Sequence, residues 1–159
     1  MEQHQQCEQE PEAALIERAV LLASAFEWAY VENPDIPYGG TPNPTEDLSK
    51  YIDDLPNDNL PLALHVFQFL GRSENPDVRH YMTGLLGPLF DADLDMGIAI
   101  TGKLMLDHVP RVRTAAFNSL MDNVIPYEDK LLFSQVEGPI NKYLEMWHPT
   151  AFRPNKKDK

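Results

Sequence analysis

LMLDHVPRVRTAAFNSL, residues 104–120, is the stretch whose reading decides the fold. Val112, Ala115, Ala116 and Ser119 stand at i, i+3, i+4 and i+7, and Leu120 and Val124 continue the pattern. That spacing lines one face of a helix with small and apolar side chains. The same template recurs three more times. Leu48, Tyr51, Ile52 and Leu55 form one copy. Val78, Tyr81, Met82 and Leu85 form another, continued by Leu86 and Phe90. Ile140, Tyr143, Leu144 and Trp147 form the last. Each copy opens on a helix-initiating residue. Thr45 can cap the first, with Glu46 and Asp47 in the turn that favours acids. Pro76, Pro110 and Pro139 open the others, at positions where a missing N–H costs nothing.

The copies are separated by 30, 34 and 28 residues. Before each of the last three lies a second apolar segment, at 60–71, 94–106 and 128–137. A helix at 12–31, striped by Leu15, Ala19, Leu22, Phe26 and Ala29, serves the first. Self-similarity at this period predicts an all-α fold, an α-solenoid of about four short helix pairs with the template helices on its concave side. The two central copies superpose at a shift of 34: Leu60 on Leu94, Pro76 on Pro110, Val78 on Val112, Arg79 on Arg113, Leu86 on Leu120.

Leu104, Asp107, Pro110, Val112, Arg113, Ala116 and Leu120 resemble the turn and second helix of a HEAT-type (armadillo-like) repeat. Such repeats run Leu-x-x-Asp, then Pro-x-Val-Arg-x-x-Ala, then Leu. The earlier central copy departs from that pattern at Ser73 and Met82, and the outer copies lack the Val-Arg pair, as capping repeats do. The resemblance covers about residues 60–124. It implies a curved scaffold that usually binds protein, and some relatives hold DNA or handle a pigment cofactor.

Around this core the chain divides simply. Residues 1–11 read as a polar tail, 12–152 as one helical-repeat domain, and 153–159 as a basic tail. Residues 33–44, NPDIPYGGTPNP, hold four prolines and two glycines and read as a long loop around Tyr38. Cys7 is the single cysteine, so no internal disulfide forms and nothing requires an oxidising compartment. The most apolar stretch near the start, Leu15 to Val31, contains Glu17, Arg18 and Glu27. It follows no basic leader, so neither a spanning helix nor a signal peptide is expected. The cytoplasm is the expected location.

The chain carries 25 acidic and 13 basic side chains, a net charge of −12. Residues 1–58 hold thirteen acids against Arg18 and Lys50. Such a field repels nucleic acid and anionic membranes and steers basic partners inward. The residues chemistry would need are missing their usual company. His4, His65, His80, His108 and His148 lack metal spacing. DADLDMG, 91–97, is out of register for a calcium loop and reads as an acidic helix start near Asp93. No phosphate loop, nucleophile elbow or dinucleotide fingerprint occurs, so no catalytic residue, metal or cofactor is assigned.

The expected function is that of a non-catalytic binding protein, an adaptor, assembly factor or inhibitor, whose partner is a basic protein. The alternative is a cofactor-handling helper enzyme of the same repeat class. Phe117 and Met121 lie off the template stripe, at positions filled one repeat earlier by the small Thr83 and Gly87. They are the expected anchor, with Asn118 and Thr114 beside them; packing on the adjoining repeat is the competing use of the pair. Asp53 and Asp54 supply steering, and Tyr38 marks the loop as a further contact. Arg79 and Arg113 are expected to form a structural ladder between repeats, with Asp77 and Asp107 as partners.

Overall fold

The computed structural model describes residues 10–32, 44–124 and 130–147. Among them lie eight helices and no strand. They are α1 (Glu12–Glu32), α2 (Pro44–Asp58), α3 (Leu60–Gly71), α4 (Pro76–Thr83), α5 (Gly87–Ala92), α6 (Leu94–Leu104), α7 (Pro110–Val124) and α8 (Lys130–Trp147). Helix α1 packs on α3, α3 on α6 and α6 on α8; α2 packs on α5 and α4 on α7.

The starts follow from local chemistry. Asn59, Asn75 and Asp93 each precede a helix, and their side chains accept from the backbone N–H of Leu62, Asp77 and Met96. Asp93 and Asp95 are therefore the cap and first turn of α6. Pro76 and Pro110 open α4 and α7.

The stripe is narrower than the template. Val78, Met82 and Leu86 are fully buried, as are Val112, Ala116 and Leu120, all spaced by four. In the first three copies the i+3 member of the template lies at the edge of the core or outside it, whereas Tyr143 of the last copy is buried. Tyr51 is exposed, and Tyr81 and Ala115 are half-buried. Tyr81 closes an aromatic cluster with Phe26 and Tyr30, its ring centroid 5.6 and 5.4 Å from theirs. Its hydroxyl lies 3.0 Å from that of Ser49, which ties α4 to α2.

Two expected helices differ. The template helix at Pro76 was to continue through Leu86 and Phe90. Helix α4 instead stops at Thr83, and the chain restarts as α5. Gly84 weakens the helix, and Pro88 has no N–H to give to the Gly84 carbonyl. The equivalent positions one repeat on are Asn118 and Asp122, so α7 runs unbroken to Val124. Conversely, Pro139 does not begin a helix. It lies inside α8, which merges the expected segment at 128–137 with the last template copy. Val136 and Tyr143 are both buried and seven residues apart, which puts them on one face of a continuous helix, two turns apart. Sharing that face across Pro139 requires an unbroken axis, and one lost hydrogen bond is the cost. The last copy is thus one helix rather than a pair.

Helices α5 and α6 meet closely at Gly97. A Cβ there would lie 2.8 Å from Phe90 Cδ1 and 3.2 Å from Phe90 Cα. Gly97→Ala is expected to destabilise by about 1–3 kcal/mol, because the backbone beneath Phe90 cannot retreat as a side chain could. Urea denaturation checks it; an unchanged midpoint would mean that α5 moves freely on α6.

Candidate functional site

Two features connect successive repeats. The first is buried. Arg79 Nε donates to Asp107 Oδ2 at 2.7 Å and Nη2 to Asp107 Oδ1 at 3.1 Å, a bidentate pair. Arg79 Nη1 donates to the Ser73 carbonyl at 2.6 Å, and Asp107 Oδ1 accepts the Val109 N–H at 2.9 Å. One guanidinium thus clamps the α3–α4 turn to the α6–α7 turn. Burial by itself would raise the pKa of Asp107. The Arg79 hydrogen bond, the Val109 amide and the positive charges of Arg79 and His108 outweigh it and hold the carboxyl below its usual value.

The other ladder members find different company. Asp77 pairs with Arg111, not with Arg79. Arg113 donates to the His108 carbonyl at 3.3 Å and lies over the Trp147 ring, 3.9 Å from its centroid. The two arginines hold the same register on their helices and differ in their neighbours: Arg79 has the α6–α7 turn to grip, whereas Arg113 has Trp147 of α8.

The second feature is open. A groove of about 690 Å³ runs between the end of α4 with its turn and the outer side of α7. Thr83, Gly84 and Gly87 line one wall, and Ala115, Asn118, Ser119, Asp122 and Asn123 line the other, with His80 at the rim. The groove exists because the α4 break leaves small residues where a continuous helix would present side chains. Its floor is tied by Ser119 Oγ, which donates to the Thr83 carbonyl at 3.0 Å. The Thr83 hydroxyl folds back on the His80 carbonyl at 2.7 Å, and the Asn123 amide donates to the Ser119 carbonyl at 2.7 Å. The polar groups left facing solvent form an acceptor-rich rim, the exposed Asp122 carboxylate, the exposed Asn118 amide and the Asn123 carbonyl, while the lining as a whole, Tyr81, Leu85 and Ala115 included, is mostly apolar. Such a rim suits a cation or a chain of N–H donors.

Of the residues expected to contact a partner, Asn118 lines this groove, as do Thr83 and Gly87, the small residues that mark the depression. Thr114 is exposed on α7. Phe117 faces the other way: its ring stacks on Tyr143 of α8 at 4.8 Å and 12°. Half-buried there, it packs on its neighbour in the manner of the competing use; Met121 is half-buried too. Asp53 is half-buried and Asp54 exposed on α2, outside the groove lining. Burial, then the negative charge of Asp54, raises the pKa of Asp53. Tyr38 and Cys7 lie outside the described residues. Sequence reasoning missed Gly84, Asp122 and Asn123, although Thr83 and Gly87 had marked the depression.

Among the described residues no three His, Cys, Asp or Glu side chains are grouped to hold a metal, and no helix is long and apolar enough to cross a membrane. The fold and groove define an all-helical protein with a surface cleft between two helices, mostly apolar in its lining and polar at its rim. Set against protein-family models, curated proteins and solved structures, the chain matches none.

Proposed function

We propose that this chain is a non-catalytic, HEAT-like α-solenoid, acting in the cytoplasm, that binds a basic segment of a partner protein in the α4–α7 groove. The observation that carries the proposal is the groove itself, with small walls and an acceptor-rich rim at Asp122, Asn118 and Asn123. The row of first helices α1, α3, α6 and the facing row α2, α4–α5, α7 support the solenoid reading. The acid excess of residues 1–58, with Asp53 and Asp54, supplies long-range attraction. The groove supplies the short-range fit, taking over the anchoring role that the inward-facing Phe117 is poorly placed to fill.

A library of Lys- and Arg-bearing peptides, compared with neutral and acidic ones by fluorescence anisotropy, tests this. Basic peptides are expected to bind and to weaken as salt screens charges over about 8–10 Å. Asp122→Lys should cost about tenfold in Kd, equivalent to about 1.4 kcal/mol. Gly87→Leu should abolish binding while the protein stays folded, since a Cβ at Gly87 meets only Asn123 Oδ1 at 3.5 Å. Asp53→Asn with Asp54→Asn should slow association and leave dissociation alone. Equal binding of acidic and basic peptides would rule the reading out.

A further inference from the structure

Helix α1 is apolar on two faces. Ala19, Ala23, Phe26 and Ala29 are spent on the core. On the opposite side Ile16, Val20, Leu21, Trp28 and Val31 stand 38%, 41%, 65%, 65% and 59% exposed. An apolar face of this size on an outer helix, which Glu17 and Glu27 share, marks an interaction surface. Its order is particular. Positions 16, 20, 24 and 28 form one i+4 row that ends on the exposed Glu32 with Val31 beside it, and its inner members are symmetric about Ser24. Val20 and Trp28 lie four residues to either side of it. Ile16 and Val31 lie eight before and seven after.

We propose that this face is the interface of a homodimer, in which two copies of α1 cross antiparallel about Ser24. A two-fold contact sets the same patch against itself, so the patch must be self-complementary, and a row symmetric about a small residue is. The small Ser24 lets the axes approach, and the i+4 ridges can interdigitate on either side. Val20 of one copy then faces Trp28 of the other, and Ile16 faces Glu32 and the neighbouring Val31. A chain of net charge −12 resists self-association, but this register sets no acid against an acid. Glu17 falls opposite Val31, and Glu27 opposite Leu21. The five side chains expose about 500 Å² per copy, so with their flanks a two-fold contact buries roughly 1,200 Å², where specific interfaces begin.

Sedimentation equilibrium of the full chain is expected to give twice the 18.1 kDa chain mass at micromolar concentration. Val20→Glu with Trp28→Glu should give a folded monomer with the helical circular dichroism of wild type, its melting midpoint lowered only by the stability that association supplies. In a Cys7→Ser background, Ser24→Cys should form a disulfide-linked dimer with diamide, because the two-fold brings the paired Cβ atoms together. Ala25→Cys, exposed but one position round the helix, should not. A wild-type chain monomeric at about 100 μM, its face then free for a different protein, would overturn the proposal. A dimer that survives the double charge change would overturn it too, as would equal cross-linking at positions 24 and 25.

Discussion

Val112→Asp is expected to abolish the cooperative melting transition of this protein at neutral pH. Val112 is fully buried on α7, in line with Ala116 and Leu120, themselves fully buried. No lysine or arginine belongs to that stripe, so a carboxylate placed there has nothing to pair with. It must either lose its hydration or take up a proton. Either route costs several kcal/mol, a large share of the roughly 5–15 kcal/mol that holds a typical domain folded. Thr114→Asp is the internal control. It puts the same residue two positions along the same helix, where the side chain is exposed, and should shift stability by no more than about 0.5 kcal/mol. Thermal circular dichroism on the two variants separates burial from helix propensity, because propensity is the same in both. A Val112→Asp protein that melts within a few degrees of wild type would mean that the stripe faces solvent.

Asp107→Leu should cost about 3–5 kcal/mol, the usual consequence of stranding one member of a buried ion pair. The Arg79 and Asp107 side chains are only 7% and 9% exposed, so water cannot replace the lost partner. The loss is larger than one bond, since Asp107 also accepts from Val109 and so shapes the turn that opens α7. Arg79→Met should cost less than Asp107→Leu. It removes the charge that needed a partner, although it leaves the Ser73 carbonyl unbonded. Asp107→Asn keeps an acceptor for Val109 and should fall between them. The pair also predicts a pH dependence. Its carboxyl titrates lower in the folded protein than the ordinary value of about 3.9, so folding favours the ionised form. The stabilisation is complete above about pH 4 and is lost as pH falls from there through the lower folded-state pKa. The stability gap between wild type and Asp107→Asn should therefore close on acidification. Urea titrations at pH 7, 4 and 3 measure it; a gap that widens towards pH 3 would show that Asp107 is not held ionised by Arg79.

The central clamp was legible before the structure because its members sit at repeat-related positions: Arg79 follows a core valine, and Asp107 closes the turn before the next proline. The groove was half legible. Thr83 and Gly87 announce a depression, but Phe117, expected as the anchor beside it, stacks on Tyr143 of α8. Helical spacing says which residues share a face with Val112, not which neighbour the adjacent face will meet, and α8 met it.

The all-helical class, the starts at Asn75–Pro76, Asp93 and Pro110, and the buried four-residue spacing of α4 and α7 are properties of the sequence by itself. They depend on contacts within a few residues: a cap reaching the next turn, a proline at a position without a donor duty, an apolar row with the helical period. Other features were settled only by tertiary contact. By the sequence pattern Pro139 opens a helix, yet it lies inside α8, where Val136 before it and Tyr143 after it are both buried in the core. On helix α1 the expected stripe of Leu15, Ala19, Phe26 and Ala29 is the buried one, but the opposite side is apolar too, and the sequence does not say that it stays uncovered. Packing on α3 selected the alanine face and left Trp28 and Leu21 in water. Burial is a relation between two surfaces, and only the folded chain supplies the second one.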